Sequence, residues 1–171
     1  VMLGGKIVVS NGKILPVISK PSTPKWITKT LKLSKFSEND FSVKSFKTSE
    51  SVNVIKMKSE IVTEKTIEEL DAKSGNVSPS LDKDIWKVAA FDRTYGTKKH
   101  AVGFLNNLGA EIGAFASSWS FHENDLIVIG SNEKDMAIAC NQLSKTQGGM
   151  IVVKDGKTIA SMPFQFAGII S

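Results

Sequence analysis

Between Leu126 and Ala160 the spacing of apolar residues changes twice, from continuous to helical and back to a short extended run. Leu126-Ile127-Val128-Ile129 is short, β-branched and stopped by Gly130, the pattern of a buried strand. From Asn132 the period becomes helical: Met136, Ala139, Cys140 and Leu143 fall at i, i+3, i+4 and i+7 and share one face of a helix of about four turns. Lys134, Asp135, Asn141 and Lys145 are then left to solvent. Ser131 or Asn132 can accept from the free N–H groups at the helix start, and Gly148 or Gly149 can take the left-handed position that ends it. Ile151 to Val153 reads as a strand, Asp155-Gly156 as a type I′ turn and Thr158 to Met162 as the hairpin partner. A helix set between a strand and a hairpin must lay its apolar face on the sheet they form.

The rest of the chain supplies that sheet. Ile85 to Phe91 is a second buried strand, Ala101 to Leu105 and Ala110 to Trp119 are further strands, and Phe41 to Lys47 and Val52 to Lys58 alternate as half-exposed strands do. Thr63 to Leu70 suits a helix by propensity but lies between strand-like stretches, and is read as strand. Lys25 to Leu31 fits a short helix or the start of a strand, with Trp26 packing across a junction. Ala72 to Lys83 reads as a polar loop, and the apolar end, Phe164 to Ser171, should tuck against the core. The predicted class is α+β: a mainly antiparallel sheet with one or two packed helices.

An Asn11-Gly12 turn between two β-rich runs makes a hairpin of the first residues, which must pack on something because a lone hairpin is marginal in water. Pro16, Pro21 and Pro24 mark a linker, so the division expected is 1–20 and 21–171. Val1 stands in place of an initiator Met and reads as a cut point within a longer polypeptide.

Residues 1–60 hold 11 lysines against 4 acids, net +7, and residues 61–171 are net −2, so the basic excess is local. It is spread singly and is almost all lysine, which lacks the fork that reads bases and phosphates. Solvated strand faces explain it better than nucleic acid; docking on an acidic neighbouring domain would also fit. No apolar run approaches the roughly 20 residues of a membrane span, and the expectation is a soluble cytoplasmic protein. The lone Cys140 is read as core.

Neither a P-loop nor a Gly-x-Ser-x-Gly elbow occurs. His100 and His122 are far apart, no His-x-His or Cys-x-x-Cys pair exists, and His122 followed by Glu123 and Asn124 breaks the zinc deaminase signature, so no metal site is expected within these residues. Two polar clusters remain. Arg93, the sole arginine, sits beside Asp92 at the end of a buried strand, where an ion pair ordering the loop competes with substrate contact. The loop from Ser117 to Asp125 gathers Ser118, His122, Glu123, Trp119 and Phe121 between two apolar strands, and either binds something or satisfies its own turns.

Asp92-Arg93-Thr94-Tyr95-Gly96-Thr97-Lys98-Lys99-His100-Ala-Val-Gly-Phe, Leu-Gly-Ala-Glu-Ile-Gly-Ala-Phe-Ala-Ser117-Ser118, Gln147-Gly-Gly-Met-Ile-Val-Val-Lys-Asp-Gly-Lys and the terminal Ala-Gly-Ile-Ile-Ser together resemble the C-terminal region of the adenine deaminase family, within the amidohydrolase superfamily. The opening Gly-Gly-Lys-Ile-Val-Val-Ser-Asn-Gly-Lys resembles the segment leaving that family's catalytic barrel, which places the first hairpin in a β-sandwich beside it. The resemblance implies a parent enzyme that converts adenine to hypoxanthine and ammonia in purine salvage, with a divalent metal held by an N-terminal (β/α)₈ barrel. It further implies that this chain is structural or active-site-capping, with the barrel as partner and a homo-oligomer possible. The other reading is a free-standing binding or scaffold module.

The family's Glu-Arg-His triplet falls at Asp92, Arg93 and Thr94, and its two loop histidines are replaced by Phe121 and Asn124, with His122 where an Asp stands. Arg93, Ser117 and Ser118 therefore carry over and the histidine roles do not, leaving adenine or another purine open as substrate. Barrel enzymes build their sites from loops at one face, so an appended domain reaches the chemistry only with its own loops. Ser118, His122 and Glu123 are expected to cap that mouth or dock the barrel, with Trp119 or Phe121 excluding water.

Overall fold

In the computed structural model, which describes residues 1–16, 22–120 and 125–170, Asn11 and Gly12 both take positive φ (50° and 73°) and join β3 (Val9–Ser10) to β4 (Lys13–Ile14). A second tight hairpin precedes it, β1 (Met2–Leu3) and β2 (Lys6–Ile7) across Gly4-Gly5. Among the described residues nothing covers this hairpin: Met2, Leu3, Ile7 and Ile14 all stay exposed.

The rest is organised by β5 (Ser49–Met57), β6 (Thr63–Lys73), β7 (Asn76–Val77), β8 (Ile85–Phe91), β9 (His100–Asn106), β10 (Ala114–Ser117), β11 (Leu126–Gly130), α1 (Glu133–Thr146), β12 (Gly149–Lys154) and β13 (Lys157–Pro163). Among the described residues these strands form one nine-stranded sheet in the order β13-β12-β10-β11-β8-β9-β5-β6-β7. All its pairings are antiparallel except a short parallel one, where Val54 to Lys56 of β5 meets Phe104 to Asn106 of β9. The class is the one predicted, with one α-helix among the described residues.

The helix forms because its cap and its stripe agree. Asn132 accepts the Asp135 N–H at 2.8 Å, a cap worth about 1 kcal/mol, and Met136, Ala139, Cys140 and Leu143 are all buried against β10, β11 and β12. Burial pushes the Cys140 thiol well above its usual pKa, as befits a core residue. Two residues expected in solvent are not there. Asp135 is buried because its carboxylate accepts the Gly156 N–H at 2.8 Å, tying the helix start to the β12–β13 turn. Asn141 bridges both backbone groups of Phe36, at 3.0 and 2.9 Å, and so fixes the segment that carries Phe36 and Phe41 into the core.

Other differences have local causes. Phe41 to Lys47 is not a strand; Glu38–Phe41 is a 3-10 turn in which Asp40 accepts from Ser37, and Phe41 is pulled into an aromatic cluster with Phe36 and Phe91. Lys25 to Leu31 forms neither helix nor strand, and Trp26 is 74% exposed rather than packed. The strand at Ala110 to Trp119 shrinks to Ala114–Ser117. The polar loop at 72–83 instead contains the end of β6, all of β7 and a 3-10 turn at Leu81–Lys83. Gln147, not a glycine, takes the left-handed position after α1 (φ 60°). Gly148 and Gly149 are needed for another reason: a Cβ on either would collide with the backbone of Gly168 or of Met162.

Sheet parity separates two faces. Lys87, Ala89 and Phe91, Ala114 and Ala116, Leu126 and Val128, Ile151 and Val153 point to the side that α1 covers, and all are buried. Their neighbours Val88, Ala90, Phe115, Ile127, Ile129 and Val152 point the other way, and all are half-buried.

Candidate functional site

β10 ends in Ser117, and parity turns the serine that follows it, Ser118, in the opposite direction. The Ser117 hydroxyl stays local, donating to the Trp119 carbonyl at 2.7 Å and accepting the Trp119 N–H at 3.1 Å. Ser118, fully buried, reaches across the sheet: its hydroxyl accepts the Gly149 N–H at 2.8 Å and donates to the Gly168 carbonyl at 2.6 Å. Arg93, two residues past the end of β8 and 4% exposed, donates from Nη1 to the Ala167 carbonyl at 3.2 Å. Burial pulls the guanidinium pKa down and the charge of Asp125 works against that shift; an arginine remains protonated throughout. The structure thus brings Arg93 and Ser118 together on consecutive carbonyls of the terminal segment, which is also held by Ala167 donating to Ile27 at 2.8 Å. This is a latch: each side chain holds a backbone carbonyl of the terminal segment. Phe164 and Gly168 are buried, but Phe166 (44%) and Ile170 (61%) are exposed, so the apolar end tucks against the core only in part.

The ion pair expected of Asp92 and Arg93 is replaced by a different device. Asp92 turns back on its own loop, accepting from the N–H groups of Thr94 and Tyr95 at 2.9 Å and of Thr97 at 3.1 Å, and from the Thr97 hydroxyl at 2.5 Å. The Thr97 hydroxyl, then the Tyr95 N–H, hold the carboxyl well below the usual carboxylate range. Because the folded pKa is depressed, the contribution of these bonds is complete above the ordinary value and is lost only as pH falls through the lower, folded one. The amide resonances of Thr94, Tyr95 and Thr97 should therefore hold their positions as pH falls through about 3.9, the ordinary aspartate value, and move only in stronger acid. Titration at the ordinary value would show the loop ordered by something else.

Ser120 closes the next loop by donating to the Asp125 carbonyl at 3.1 Å, while Trp119 is 47% exposed. His122 and Glu123, with Phe121 and Asn124, lie outside the described residues. His100 is remote from both serines in function: its ring stacks on Phe91 at 5.1 Å and Nδ1 donates to the Lys98 carbonyl at 3.0 Å.

One buried polar pair escaped the sequence reading. Lys87, fully buried in the middle of β8, donates to the Val77 carbonyl at 3.0 Å and pairs with Glu133 in the first turn of α1. The signal was present: Lys87 interrupts Ile-Trp-Lys-Val-Ala-Ala-Phe at a position whose parity matches Ile85, Ala89 and Phe91. Two concavities lie away from the latch. One of about 310 Å³ is rimmed by Lys32, Lys35, Lys98 and His100 over Phe36 and Phe91, and one of about 700 Å³ opens where β5 leaves β9. Among the described residues no three His, Cys, Asp or Glu side chains converge, and no helix is long and apolar enough to cross a membrane.

Comparison with known proteins places the chain in a family. The family described as "Adenine deaminase C-terminal domain" matches residues 60–171. A curated adenine deaminase of Cenarchaeum symbiosum is 50% identical over 171 residues, all of this chain and 28% of that protein. Those of Kosmotoga olearia and Staphylothermus marinus are each 31% identical, over 97% and 100% of the chain and 29% of their own length. The chain thus spans less than a third of the curated relatives it matches.

Proposed function

Since the chain belongs to the adenine deaminase family, whose C-terminal domain it matches, we propose that it is the supporting module of an enzyme that hydrolyses adenine, or a related purine, to release ammonia in cytoplasmic purine salvage. The observation that carries this reading is the latch. Arg93 and Ser118, two of the three residues that the family resemblance carries over, both hold carbonyls of the terminal segment, which supports a role in building the module. The divalent metal that the reaction calls for would be held by the catalytic part of the polypeptide, since the described residues here assemble no ligand set. Residues 1–20 then belong with a β-sandwich adjoining the barrel and 21–171 form the module. The loop from Ser117 to Asp125 is its reach toward the active-site mouth, with His122 and Glu123 as capping or docking residues. A free-standing binding or scaffold module has no comparable support.

Two proteins test this. The 171-residue chain alone, supplied with adenine and a divalent metal, should release no ammonia. A chimaera in which it replaces the matching portion of the Cenarchaeum symbiosum relative should release ammonia from adenine. Metal-dependent turnover by the chain alone, or a folded but inactive chimaera, would overturn the proposal.

A further inference from the structure

Val88, Ala90, Phe115, Ile127, Ile129 and Val152 form the centre of the sheet face opposite α1, and register joins them directly: Val88 pairs with Ile129, Ala90 with Ile127, and Phe115 with both Ile129 and Val152. Met150 and Met162, paired with each other, extend the patch toward the edge strand. An antiparallel sheet with one face in water normally alternates apolar-in with polar-out. Here four adjacent strands are apolar on both faces except at Lys87, which faces α1 from β8. Polar residues enter only at the margins, with Ser117 at one end of β10 and Lys154 at one end of β12. Among the described residues no helix packs on this face, whereas α1 lies wholly on the other.

We propose that this face is the docking surface for the catalytic part of the adenine deaminase polypeptide; the identity of that occupant rests on the function proposed above. Three observations favour it. The curated relatives carry the matching region as 28 or 29% of their length, so a large tethered remainder accompanies it in those proteins. The centre of the patch is free of charge, the composition of a permanent interface rather than a transient one. Ser117, the residue opposite Ile127, starts the loop proposed to reach the active-site mouth, so face and loop address one partner. The docking partner therefore presents an apolar surface of its own, with polar contacts confined to the rim.

Methionine oxidation by hydrogen peroxide, read by mass spectrometry, tests this without disturbing the fold. Met162 is 55% exposed and Met150 half-buried on the proposed surface, while Met136 is fully buried under α1. In the chain alone Met162 and Met150 should oxidise and Met136 should not. In the chimaera both should lose their reactivity, and Ile129→Lys in the chimaera should restore it. Equal reactivity in chain and chimaera would overturn the proposal. So would protection in the chain alone accompanied by a dimer in light scattering, which would make a second copy the occupant. A chimaera that is protected but inactive sinks the function and leaves the docking; one that is active but unprotected does the reverse.

Discussion

Glu133→Ala should cost about 3–5 kcal/mol of folding stability, the range found when one member of a buried ion pair is removed and the other is left behind. Lys87 has no exposed surface, and the mutation would leave its ammonium with only the Val77 carbonyl and the Phe104 ring, 5.9 Å away. The pair is asymmetric, because the Glu133 side chain is 27% exposed and can turn to water if its partner goes. Lys87→Met should therefore cost much less, with the methionine filling the volume and Glu133 hydrated. The double variant Lys87→Met/Glu133→Ala should recover most of what Glu133→Ala loses. Denaturant midpoints of the four proteins decide the matter. If Glu133→Ala falls within about 1 kcal/mol of the parent, the pair behaves as a surface contact.

Gly149→Ala should be comparably severe, at about 3 kcal/mol or more, from strained backbone together with overpacking. Gly149 sits at φ 139°, its N–H and carbonyl are both engaged by Ser118, and a Cβ would fall on the Met162 carbonyl with Pro163 Cα 2.9 Å away. These are backbone atoms of the paired strand and cannot swing aside. Gly12→Ala provides the control: it also has positive φ, 73°, but open space around the added carbon, so only the conformational cost of about 1 kcal/mol applies. Equal thermal shifts for the two variants would show that the close approach at Gly149 carries no energy.

Legibility in the sequence followed the range of the interaction. The strand from Leu126, the helix from Glu133 and the final hairpin are set by spacing within a few residues, and each lies where the pattern puts it. Phe41 to Lys47 alternated as a strand does, yet Phe41 was claimed by Phe36 and Phe91, a contact that no local pattern encodes. Gly148 and Gly149 looked like a helix cap; their real constraint comes from Gly168 and Met162, and Gln147 absorbed the left-handed turn instead. At the candidate site, Arg93 and Ser118 were visible as residues, but their meeting on Ala167 and Gly168 depends on the path of the terminal segment. The half-buried apolar face was hidden for a simpler reason. Continuous apolar runs were read as burial on both sides, which a single helix can satisfy on only one.

Lys87 also bears on how β8 finds its register. A strand displaced by two residues keeps every side chain on its own face, so inside-outside patterning alone does not forbid the slip. On the helix-facing side of β8 the order is Ile85, Lys87, Ala89, Phe91, with Ile85 in one apolar cluster and Ala89 and Phe91 in the other. Moving β8 by two positions would carry the ammonium into one of those clusters, away from Glu133, and put an apolar side chain against the carboxylate. The charge therefore acts as an index mark: it admits one alignment of a strand whose hydrophobic residues would tolerate several.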